Sequence, residues 1–268
     1  MDVLQRVQVQ GELRDVVECA IVVQRAAGSL SRFPAMPRAM LTLAPAVGGA
    51  AAVSFHAMST RATTHAHVQP VRALGLVLPP DTAARLLGMS TGALVDATLP
   101  WAEMAGVAET ALLDDALQRT DSDAARLVAL QASLRRVLAR GPERVQRART
   151  EALQRLCLAV GQQGAQAAAV LGLGERQLER RCRALLGLAP KQMQRIVRLH
   201  GLLSDALRRQ RLPDADSAVA AGYYDQSHLA HDTRLLTGAT FRELLQQGHV
   251  DGAWWPLATQ RLTARRPA

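Results

Sequence analysis

Of the 268 residues only one is a lysine, Lys191, and only three are cysteines, Cys19, Cys157 and Cys182. The cysteines lie far apart, with no CxxC pair and no Cys/His ligand spacing, so the sequence encodes neither a disulfide framework nor a zinc site. An odd, unpatterned set of thiols suits a reducing cytoplasm with the sulfurs buried. No apolar run reaches membrane-spanning length, and the N-terminus, MDVLQRVQVQGELRDVVE, is too polar for a signal peptide. Also missing are GxxxxGK(S/T), GxGxxG after a strand, GxSxG and HExxH. Their absence leaves nucleotide binding and hydrolysis without support. A soluble cytoplasmic protein with no cofactor and no metal is expected.

What is present is arginine. The formal net charge is +9 and the pI about 10.9, which suits an acidic partner such as nucleic acid. Near-exclusive use of arginine, with many alanines, also reflects the codon bias of a GC-rich genome, so distribution says more than total. Residues 1–140 hold 13 basic and 12 acidic side chains, whereas residues 141–268 hold 19 and 11. The excess sits in the second half.

The same boundary shows in the pattern. Between residues 40 and 79 the short runs AMLTLAPAV, AAVSFHAM and VRALGLVLPP read as buried or half-buried strands. Asp81 is placed to cap a short helix that stops near Gly88. Helices are expected over 104–118 and 121–140, the second capped by Asp121 and ended by Gly141-Pro142. From there nearly everything reads as helix, beginning with 143–160. The expected architecture is an α+β N-terminal domain over 1–140 with a sensory or dimerisation role. An all-α domain over 141–250 follows, then a basic tail over 251–268 holding Trp254, Trp255, Arg261, Arg265 and Arg266.

Within the second half two segments repeat: GLGERQLERRCRALLG at 172–187 and GYYDQSHLAHDTRLLTG at 222–238. Leu178 matches Leu229 and Gly187 matches Gly238, both 51 positions apart. The preceding helices match Ala168 to Ala218, 50 apart, so the second turn is one residue longer. Leu178, Cys182 and Leu185, and in the second copy Leu229, Thr233 and Leu236, form inner stripes at helical spacing. Arg176, Glu179, Arg180 and Arg183 face the other way, as do Ser227, Ala230, His231 and Arg234. Small residues (Ala167, Ala168, Ala218, Ala221) let a supporting helix approach closely. Asp225 is a good N-cap for the second helix, and Gly174 a weaker one for the first. A helix from Pro190 to before Pro213 joins the copies. An amphipathic helix with a solvated basic face explains one copy; two in matched register point to major-groove readers. Arginine can chelate guanine, glutamine can pair with adenine, and serine or histidine can donate to bases or phosphates. Arg183 and Arg234 suit phosphates, which orient the protein without specifying sequence.

Residues 151–247, through GLGERQLERRCRALLGLAPKQMQRIVRL and AGYYDQSHLAHDTRLLTGATFRELL, resemble the DNA-binding domain of the AraC/XylS family of bacterial transcription regulators. The resemblance implies two helix-turn-helix units joined by a long helix, their recognition helices entering successive major grooves about 34 Å apart. It carries base-facing roles to Arg176, Glu179 and Arg180, and to Gln226, Ser227 and His231. Gln177, Arg183, His228 and Arg234 complete the expected DNA-binding set. Implied partners are double-stranded DNA, RNA polymerase contacted by an activator, a small-molecule effector of the N-terminal domain, and a second copy in a homodimer, with no membrane. Residues 30–140, through ALGLVLPPDTAARLLGMSTGALVDATLPWAEM, more weakly resemble a small α+β module found before this domain. Several positions depart from the family pattern. Cys182 and Thr233 stand where phenylalanine is usual, and His231 replaces an arginine. The usual Ser/Thr-Pro pair is split between Ala189-Pro190 and Thr240-Phe241, and Ser217 replaces a β-branched or leucine residue.

Other candidate sites have plainer explanations. His65 and His67 would share a face on a strand, near His56, but carboxylate or thiol partners at ligand spacing are missing. Asp114-Asp115 and Asp121/Asp123 lack EF-hand spacing and suit capping or solvent. Two other functions stay open: a DNA-repair alkyl-acceptor enzyme carrying the same DNA-binding module, and a degenerate relative acting through protein contacts. Against the first, Cys19 lies in the apolar run VVECAIVV, where a thiol is inert.

Overall fold

The computed structural model describes residues 3–251 except 8, 10–12, 14–15, 37, 46–50, 80–81, 83–85, 87–93, 141–154, 157–158 and 161–165. Six strands, β1 (Val3–Val7), β2 (Cys19–Arg25), β4 (Ala39–Pro45), β5 (Ala51–His56), β7 (Val71–Leu78) and β8 (Thr98–Pro100), form one antiparallel sheet in the order β1-β2-β7-β4-β5-β8. A separate ribbon pairs β3 (Leu30–Phe33) with β6 (Thr63–Ala66). The runs read from sequence as strands are β4, β5 and β7.

Both faces of the sheet are covered. Ala20, Val22, Leu41, Leu74 and Leu76 pack toward helices α1 (Trp101–Ala105), α2 (Val107–Gln118) and α3 (Asp123–Leu138), meeting Leu113, Leu127, Leu130 and Leu134. Cys19, Ile21 and Val23 face the opposite way and join Met36, Met40 and Val77. A strand buried on both sides loses polar alternation, which is why β2, CAIVVQR, is harder to read from sequence than β5. Gly75, in the middle of β7, lies where an added Cβ would come within 2.9 Å of Ile21 Cγ1. The close approach of two central strands requires glycine there.

The helix expected over 104–118 is two helices. Gly106, at φ 81°, ends α1 and begins α2, a backbone conformation that an L side chain rarely adopts. Asp121 does not cap α3. Ser122 does, its Oγ accepting from the Ala125 N–H at 3.2 Å. Asp123 sits inside the first turn and takes Arg72 of β7 through Nε and Nη2 at 2.5–3.1 Å. His65 lies on β6, edge-on to Phe33, whereas His67 lies beyond the strand and hydrogen-bonds Ser31 Oγ at 2.7 Å. His56 sits between Thr42 and Thr98 hydroxyls at 2.8 and 3.0 Å. The three histidines therefore do not converge, and among the described residues no three His, Cys, Asp or Glu could hold a metal ion. Asp81, Gly88, Cys157 and the arginines and tryptophans of the tail lie outside the described residues, as does most of 143–160. Among the described residues no helix is long and apolar enough to cross a membrane.

The second half is helical: α4 (Ala167–Val170), α5 (Glu175–Leu186), α6 (Pro190–Arg209), α7 (Ala215–Ala220), α8 (Gln226–Thr237) and α9 (Phe241–Asp251). Leu178, Cys182, Leu186, Met193, Ile196, Leu199, Leu203, Leu229, Leu236 and Leu244 form its core. Two residues of the sheet half, Ala35 and Met58, belong to this same core. Ala35 is fully buried and bonds in both directions. Its N–H donates to the Leu236 carbonyl of α8 at 2.7 Å, and its carbonyl lies 2.7 Å from His200 Nε2 of α6. A neighbouring loop braces it, since the Met36 and Ser59 backbones exchange hydrogen bonds at 3.0 Å.

A neutral imidazole protonated on Nε2 fits that contact, because a carbonyl only accepts. Burial pushes His200 down to about 4, with Arg38 adding to the effect and the Ala35 carbonyl opposing it. Between about pH 4 and 6.5 the unfolded chain therefore binds the proton that the folded one refuses. Stability from this group is complete above pH 6.5 and is lost as pH falls toward 4, on the order of 3 kcal/mol in all. Thermal melts from pH 7.5 to 5 should show the fall, and His200→Gln should flatten it; His56, also lowered by burial, leaves a smaller residual slope. In the sheet, Gly75→Ala should lower the urea midpoint, corresponding to about 1–3 kcal/mol of overpacking against Ile21.

Candidate nucleic-acid interface

Each unit is built around a glycine that only a left-handed turn requires. In the first, α4 ends at Gly172 (φ 63°), and the Leu173 N–H reaches back to the Ala168 carbonyl at 2.8 Å. In the second, α7 ends at Gly222 (φ 83°), and the Tyr223 N–H reaches the Ala218 carbonyl at 3.0 Å. These equivalences hold at 50 positions. The N-caps of the next helices, Gly174 and Asp225, are 51 apart. Tyr224 is thus the additional residue of the second turn.

Capping explains how the helices start and stop. Asp225 accepts from the His228 N–H at 2.7 Å and so meets one orphan amide of α8. Gly174 has no side chain to offer; the Gln177 side-chain carbonyl instead accepts from its N–H at 3.3 Å. Asp214 caps α7 through the Ser217 N–H and hydroxyl at 2.9 and 2.5 Å, so Ser217 locks the helix start. Both α5 and α8 end on left-handed glycines, Gly187 (φ 72°) and Gly238 (φ 71°). The split Ser/Thr-Pro pair is shared out functionally. Pro190 occupies the first turn of α6, while Thr240 forms a reciprocal cap with Glu243, 2.7 Å one way and 3.2 Å the other.

The inner faces close without the missing phenylalanines. Cys182 and Thr233 are both fully buried. The Thr233 hydroxyl donates to the Leu229 carbonyl at 2.7 Å, so nothing polar is stranded there. Next to it lies Asp232, 1% exposed, which the sequence reading did not single out. Arg195 Nε donates to it at 2.9 Å and Arg198 Nη2 approaches at 3.4 Å, both from α6. Arg198 also donates to the Gly222 carbonyl at 2.7 Å and lies 4.0 Å above the Tyr223 ring. The hydrogen bond that Arg195 donates to Asp232 raises the Arg195 pKa. A clue was available: Arg195 and Arg198, one turn apart on α6, have no acid one turn away on their own helix.

The outer faces are open to solvent. Arg176, Glu179, Arg180 and Arg183 of α5 are exposed, as are Gln226, Ser227, His231 and Arg234 of α8. Glu179 and Arg183 pair along the helix at 2.9 Å, a solvated contact of small energetic weight. Two residues expected on the interface have local work. Gln177 closes the α5 cap, and His228 Nδ1 lies 3.4 Å from the Tyr224 N–H with its ring edge-on to Tyr223. Cys182 faces inward, and burial pushes its thiol up to about 11, the opposite of what a reactive sulfur needs.

Comparison with family models agrees with this geometry. A family model described as a helix-turn-helix domain matches residues 167–247, from the start of α4 into α9. No curated protein matches the sequence. Among solved structures, one of ToxT from Vibrio cholerae is similar at 10% identity and a TM-score of 0.47, over 85% of this chain and 97% of that one. ToxT from Vibrio cholerae O395 aligns at 8% identity and 0.44, over 85% of this chain and 96% of that one. The same protein bound to (E)-4-(8-methylnaphthalen-1-yl)but-3-enoic acid aligns at 9% and 0.44, over 91% and 98%. Residues 167–247, with their paired turns, paired glycine stops and shared connecting helix, belong to the AraC-type helix-turn-helix family of DNA-binding domains.

Proposed function

We propose that the protein is a sequence-specific transcriptional regulator that reads double-stranded DNA through α5 and α8, with an N-terminal unit over 1–140 modulating its output. One observation carries this reading. Two turn-helix units repeat the same backbone bonds and the same glycine stops, and each leaves an exposed polar face on its second helix. In the first unit Arg176 and Arg180 chelate guanines, and Glu179 accepts from cytosine. In the second, Gln226, Ser227 and His231 meet base edges. Arg183 and Arg234 sit on phosphates. Residues 141–250 form the DNA-binding domain and 251–268 a basic tail.

The N-terminal unit acts through the Ala35 contact, which ties the sheet half to both α6 and α8. A small-molecule effector, a homodimer and contact of an activator with RNA polymerase belong to the same proposal. The alkyl-acceptor reading loses support because Cys182 is buried with a raised pKa. The degenerate-relative reading loses support because both positions of the missing aromatics are buried and the Thr233 hydroxyl is hydrogen-bonded.

The test is selection of bound duplexes from a random pool, followed by mobility shift over a range of salt. Two half-sites one helical turn apart and a steep fall in affinity with salt are expected. Absent or salt-insensitive binding would remove the proposal. With the selected duplex, Arg180→Ala and His231→Ala should relax base preference at one position each, at a cost of about 1–3 kcal/mol. Arg234→Ala should weaken all probes alike and reduce the salt slope by about one. Uniform loss in all three variants would overturn this division of roles.

A further inference from the structure

Tyr224 is unusual among the aromatic side chains of the helical half. Its neighbour Tyr223 is 3% exposed and pinned beneath Arg198, whereas Tyr224 is 88% exposed. It is also the one residue that the second turn has and the first lacks, since Leu173 leads straight into the Gly174 cap. Its backbone is held on both sides. The Tyr223 N–H is tied to α7, the Tyr224 N–H faces His228 Nδ1, and Asp225 is committed to capping α8. A large ring on a fixed backbone, at the same helix end as Gln226 and Ser227, loses little conformational freedom on meeting a partner.

We propose that Tyr224 is a DNA-contacting residue of the second unit, its phenol O–H donating to a phosphate oxygen at the rim of the groove that α8 enters. This rests on the DNA-binding reading above. Base edges lie within reach of side chains on the helix itself, whereas a residue ahead of the N-cap stands where the sugar-phosphate strand passes. Hydroxyl donors commonly serve phosphates, and tyrosine is enriched where exposed rings become interface. The first unit has no counterpart, so the contact makes the two half-sites energetically unequal.

The test compares the full-length protein with Tyr224→Phe and Tyr224→Ala, using the duplex that the unaltered protein enriches from the random pool and versions substituted in each half-site. Tyr224→Phe should weaken binding about 3–10-fold on every probe. The slope of log affinity against log salt should stay unchanged, since a neutral donor releases no counterion. Tyr224→Ala should bind no better than Tyr224→Phe. Full affinity in Tyr224→Phe overturns the proposal. So does altered base preference in Tyr224→Ala alone, which would place the ring on a base. Enrichment of no duplex by the unaltered protein would overturn the DNA-binding reading itself; enrichment with a neutral Tyr224→Phe overturns only the role of Tyr224.

Discussion

Helix α8 keeps its position because a carboxylate is buried beneath it. Asp232 sits on the inner side of α8 and meets two arginines of α6. A lone buried carboxylate would carry a large desolvation cost, so it persists only with partners of opposite charge. Those partners are partly exposed, Arg195 at 34% and Arg198 at 28%, and keep some hydration while serving it. Charge pairing of this kind has direction, unlike apolar contact. It fixes the rotation of α8 about its own axis, and that rotation decides whether Gln226, Ser227 and His231 or their neighbours face outward.

This polar clamp occupies the neighbourhood where a core aromatic was expected at position 233. Threonine there returns its hydroxyl to the helix, and Thr237 does the same one turn on, donating to the Thr233 carbonyl at 2.6 Å. Tyr223, in the preceding turn, is a buried ring held under a guanidinium. In the first unit the solution differs, with Cys182 packed into the apolar cluster of the helical half. The repeat is therefore a repeat of backbone and turns more than of core chemistry.

The junction at Ala35 extends the same logic between the two halves of the chain. A single small residue, with no side-chain polarity, offers its own amide and carbonyl to two different helices. Backbone groups must find partners when buried, so separating the halves would break two hydrogen bonds and release four polar groups at once: the Ala35 N–H and carbonyl, His200 Nε2 and the Leu236 carbonyl. The end of α8 is thus completed by a loop of the sheet half.

Local chemistry was legible where it depends on neighbours in sequence. Asp225 as a cap, Pro190 as a helix start, the matching of Gly187 to Gly238, the extra residue in the second turn and the outward stripe of α5 all follow from spacing and side-chain type. The strands β4, β5 and β7 were readable from short apolar runs bounded by glycine and proline. What the sequence could not decide depended on partners far along the chain. β2 hid because both its faces are covered, Gly106 broke a helix that periodicity continued, and Ser122 took the cap expected of Asp121. Asp232 looked like one more surface acid until α6 folded over it. His200 and Ala35, 165 residues apart, acquire their roles only when the sheet half docks. Turns and caps are written into a few adjacent residues, whereas buried charge and domain contact exist only after packing has removed the water.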